Sequence, residues 1–168
     1  PDDRRIAARR LAFTVLRNTM VSTWLKLVWE KLRDSSDAEL SAIAGKAVKE
    51  ARYHQQHAAD WAVRLGDGSD ESKRRCEAAL EALWRYAPEL FDDDAVDSAA
   101  KASGLGPAGS DLREPWLAEM AEILGEDLGA GADTMQLETM QMRTRATSTV
   151  RSIRPRGSRP IQIVATGE

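Results

Sequence analysis

An all-α fold, most simply an antiparallel helical bundle, is the class that this chain of 168 residues predicts. Three observations predict it. Apolar residues recur at helical spacing in long blocks separated by Gly, Pro and Asp/Ser breaks. No alternating apolar pattern is long enough for a sheet. At 42% hydrophobic and 30% charged, the chain can bury a core and is not disordered throughout. Its length suits one domain.

The first block predicts one long helix over 5–33. Phe13, Leu16, Met20, Trp24, Leu27 and Val28 form a stripe, and Val15, Leu25, Trp29 and Leu32 lie outside it. So broad an apolar surface wants neighbours on two sides. A second helix begins at Ser36, where Ser36 and Glu39 make a capping-box pattern, and ends near Leu65 with Gly66 as a left-handed stop. Its stripe is rich in alanine: Leu40, Ile43, Ala44, Ala47, Ala51, Ala58, Trp61, Ala62 and Leu65. Ser69 caps a third helix over 70–87 carrying Cys76, Ala79, Leu80, Leu83 and Trp84, and Pro88 interrupts it. The run Asp92-Asp93-Asp94 caps a short fourth helix to Ala100. A Gly-rich loop over 104–110 leads to a fifth helix over 112–125, with Pro115 early in it and Trp116 and Met120 on its apolar side. Beyond Gly125 the periodicity fails, and residues 140–168 read as a disordered, Arg-rich tail.

Charge and cysteine narrow the function classes. The net charge of −3 gives no overall attraction to nucleic acid, although the segment from Arg143 onward carries +5. Those arginines lack aromatic interleaving and helical register, so the reading is no nucleic-acid partner. A nucleic-acid-binding helical protein using the basic tail stands as an alternative. A single cysteine, Cys76, forbids an internal disulfide and suits a reducing cytoplasm. No apolar run reaches the roughly 20 residues that cross a bilayer. The chain opens Pro1-Asp2-Asp3 without a signal peptide or an initiator Met, which reads as a fragment or processed product.

Both histidines of the chain fall in one stretch, Glu50-Ala51-Arg52-Tyr53-His54-Gln55-Gln56-His57. Di-iron carboxylate bundles use Glu from two helices and a Glu-x-x-His pair from each of two others. Here the residue three before His54 is Ala51, and three before His57 is His54. Glu50 is four before His54, which shares a face but departs from the motif. No second His-bearing helix exists to complete a site. Glu50, His54 and His57 therefore stand only as relict metal candidates, with no catalytic residue assigned. At 100° per residue His54 falls inside the apolar stripe, which predicts a hydrogen-bonded histidine in or beside the core, with Glu50, Tyr53, His57 or Asp60 as partner. Cys76, within an apolar stripe, reads as a small buried hydrophobe. A free-standing di-iron oxidase remains the alternative enzyme reading.

The block Ala42-Ile43-Ala44-Gly45-Lys46-Ala47-Val48-Lys49-Glu50-Ala51-Arg52-Tyr53-His54 resembles the C subunits of phenylacetyl-CoA ring epoxidases of phenylacetate catabolism. The segments Trp61 to Gly68 and Ala82 to Asp92 are similar to them too, and weaker likeness runs from Ser22 to about Glu138. The resemblance implies a partial ferritin-like bundle over 1–139, preceded in the family by further helices. It implies a non-catalytic structural subunit of a multicomponent monooxygenase. The related A-type subunit would hold the di-iron centre, other subunits would complete the complex, and dioxygen and NADPH would be consumed. It implies no cofactor in this chain itself. After Thr139 the family continues into a final His-containing helix, whereas this chain reads Met140-Gln141-Met142-Arg143, so 140–168 reads as non-homologous to it.

Overall fold

The computed structural model describes residues 2–125, with side chains from residue 10 onward. The expectations for 140–168 lie outside the described residues. Every regular element within the described range is helical. Helix α1 spans Asp2–Leu32 and α2 spans Ala38–Gly66. Thr19 of α1 bonds level with Ala58 of α2, and Glu30 of α1 pairs with Arg52. Ascending along α1 descends along α2, so the pair is antiparallel. Helix α3, Asp70–Trp84, packs on both. A 3₁₀ turn over Ala87–Phe91 leads to α4, Ala95–Ala102. A second 3₁₀ turn, Gly109–Leu112, leads to the helix over 113–125, here α5.

The core lies between α1, α3 and α5. Leu16, Met20 and Leu27 of α1 meet Cys76, Leu80, Leu83 and Trp84 of α3, and Trp116, Met120 and Leu124 of α5. Trp116 is its centre. Its ring centroid is 5.4 Å from that of Trp84 and 5.4 Å from that of Phe91, and its indole N–H donates to Met20 O at 2.9 Å. Tryptophan is suited to such a place, because the ring supplies apolar area and the N–H still finds an acceptor. Cys76 is fully buried, as its apolar position predicts, and burial pushes its thiol up from the ordinary value, which keeps it protonated.

Several local expectations are corrected. Asp37, not Ser36, caps α2: its Oδ1 accepts from the N–H groups of Glu39 and Leu40, each at 2.9 Å. A carboxylate suits the positive helix end better than a hydroxyl. Ser36 is instead spent on the far loop, its hydroxyl donating to Ser103 O at 3.1 Å and its N–H to Gly104 O at 2.8 Å. Gly66 is not left-handed; Gly104 and Gly125 are the glycines with positive φ among the described residues. Helix α3 stops at Trp84 rather than at 87. A helix continued through Pro88 would drive the proline ring into the carbonyl four residues back, which is that of Trp84. Phe13 is 41% exposed and leaves its expected place in the core to Ala12. Ile43 is likewise exposed, and Val48 and Ala59 are buried instead.

Helix α4 ends in a Schellman motif. Gly104, at φ 72°, donates to Lys101 O at 3.1 Å, and Leu105 donates to Ala100 O at 2.9 Å. At its start Asp94 and Asp97 exchange side-chain and backbone bonds as a capping box, as the acidic run predicts. Asp93 takes the Ser110 hydroxyl and the Ser110 N–H, the latter at 3.0 Å. Asp111 pairs with Lys101 at 2.6 Å.

These bonds hold three carboxyls below the usual range. For Asp93 the chief cause is the Ser110 hydroxyl, for Asp94 the Asp97 and Val96 N–H groups, and for Asp111 the Lys101 ammonium. An unfolded chain binds protons at these positions before the folded one does. Their stabilisation is therefore complete above the ordinary carboxylate value of about 4 and is lost as pH falls through the depressed values. Hydrogen exchange followed against pH is expected to show the amides of 94–112 losing protection below about pH 4. Asp93→Asn should flatten that dependence, and an unchanged profile would contradict the assignment.

Candidate functional site

The candidate site is built where α2 leans on α1. Ala58 is small enough for the α1 backbone to approach, and the Thr19 hydroxyl bridges the two helices. It lies 3.0 Å from Val15 O of its own helix and 3.1 Å from Ala58 O. Above this floor lies an open groove of about 490 Å³. Its α1 wall is Leu11, Val15, Asn18, Val21, Ser22 and Leu25. Its α2 wall is His54, His57, Ala58 and Trp61.

The structure brings both histidines to this one groove, but not into the core. His54 has 62% of its side chain exposed, so of the two expected placements it stands beside the core and not in it. The buried positions of α2 are Ala44, Val48, Ala51, Ala58, Ala59 and Ala62. Position 54 is turned about 40° from 58 and about 60° from 51, at the 100° advance of a helix. That rotation carries the imidazole past α1 to the open side. Of the expected partners, Glu50 alone comes close: its Oε1 is 3.6 Å from His54 Nε2, and its side chain is 79% exposed. The Tyr53 ring contacts both imidazoles, edge-on to His54 at 5.9 Å and stacked with His57 at 6.3 Å. Asp60 instead accepts from Gln56 at 2.9 Å. Trp61, expected in the core, is 41% exposed with the Arg64 guanidinium 5.6 Å from its ring centre.

A di-iron centre does not fit these residues. Such a site draws carboxylates and imidazoles from four helices facing inward. Here the possible ligands Glu50, His54 and His57 all sit on α2, and the facing α1 wall offers aliphatic side chains, one amide and one hydroxyl. Among the described residues no group of three or more His, Cys, Asp or Glu side chains is placed to hold a metal ion.

Sequence reasoning missed two features of α1. Lys26 and Glu119 form a half-buried ion pair at 2.6 Å that ties α1 to α5. Its signal was legible: Lys26 stands between Leu25 and Leu27 in an otherwise apolar stretch. Thr19 and Thr23 are fully buried within the α1 stripe, and only a helix–helix contact reveals why a hydroxyl is tolerated at 19. No helix among the described residues is long and apolar enough to cross a membrane.

Fold and site together define an all-α helical-bundle protein whose only histidines line one wall of an open groove. Residues 6–146 match the family described as phenylacetic acid catabolic protein, and the chain belongs to that family. The C subunit of 1,2-phenylacetyl-CoA epoxidase from Escherichia coli (strain K12) is 38% identical to it over 115 residues. That match covers 68% of this chain and 46% of the relative, so the chain spans less than half of the relative's length.

Proposed function

We propose that the chain is a non-catalytic, structural subunit of a cytoplasmic 1,2-phenylacetyl-CoA epoxidase complex. In this reading a related A-type subunit holds the di-iron centre, and with the other subunits of the complex it consumes dioxygen and reducing equivalents from NADPH. The observation that carries the reading is the one-sidedness of the groove. Every side chain in it capable of binding iron belongs to α2, and the α1 wall supplies none. The likeness to a C subunit supports the same placement. A free-standing oxidase would need ligands from facing helices.

The test is co-expression with an A-type subunit followed by affinity capture through this chain. The expected result is co-purification in fixed ratio, with iron present in the pair and absent from the chain purified alone. Stoichiometric iron in the chain alone, with turnover of the CoA ester, would overturn the proposal.

A further inference from the structure

We draw no further inference here: the strongest candidate, the open apolar groove between α1 and α2 with His54, His57 and Trp61 on its wall, belongs to the site already described, and nothing in the structure shows what covers it.

Discussion

Replacing Trp116 with alanine is expected to destabilise the protein by about 3–5 kcal/mol, the range for truncating a fully buried aromatic. Three features place Trp116 at the top of that scale. It has no exposed surface, its ring meets both Trp84 and Phe91, and its N–H is bonded to Met20 O. The hydrogen bond accounts for about 1 kcal/mol of the loss, and the cavity and lost apolar contact for the rest. In a chain of this size the midpoint of thermal unfolding should fall by roughly 6–20 °C. Trp116→Phe keeps most of the ring and loses the N–H, so its effect should be less than half as large. Urea unfolding followed by circular dichroism measures both. A loss below about 1 kcal/mol for the alanine variant would mean that Trp116 does not centre the core.

The second large effect concerns the groove. Leu11, Val21, Leu25 and Trp61 are exposed large apolar side chains along its walls. Contiguous apolar surface of this kind drives association when the chain stands alone. The chain expressed alone is expected to be poorly soluble and to self-associate. Changing Leu25 and Trp61 together to serine should raise the soluble fraction several-fold while leaving helix content unchanged, since both positions lie outside the buried core. Sedimentation velocity reads the outcome. A wild-type chain that is monodisperse and monomeric, and unaltered by the double change, would contradict this account.

The helices were legible because their signals are local. Helical spacing found α1, α2, α3 and α5, and the acidic run at 92–94 and Ser69 marked two starts where the structure has them. What failed was the choice between neighbouring positions that tertiary contacts alone decide. Ser36 and Asp37 are both good caps, and the bond from Ser36 to the 103–104 loop, distant in sequence, selects Asp37. Periodicity gives the direction of an apolar face but not its width. Periodicity points Phe13, Ile43, Trp61 and His54 inward because the sequence does not show that packing partners cover only one side of each helix. The absence of a second ligand-bearing wall was half legible: the count of two histidines gave the shortage, and the pairing of α1 with α2 gave its location.

On the proposed reading, the Glu50–His57 stretch marks a subunit in which iron chemistry does not reside. The most direct measurement is turnover of phenylacetyl-CoA by the reconstituted complex carrying Glu50→Gln, His54→Gln and His57→Gln together in this chain. Gel filtration establishes that the complex is assembled, and the iron content of the whole is measured alongside. Unchanged iron and a kcat within about twofold of the parent complex are expected, since on that reading none of the three groups would reach the reacting atoms. A fall in kcat on the order of a thousandfold with the complex intact, or loss of iron from it, would contradict the account and place catalytic ligands in this chain.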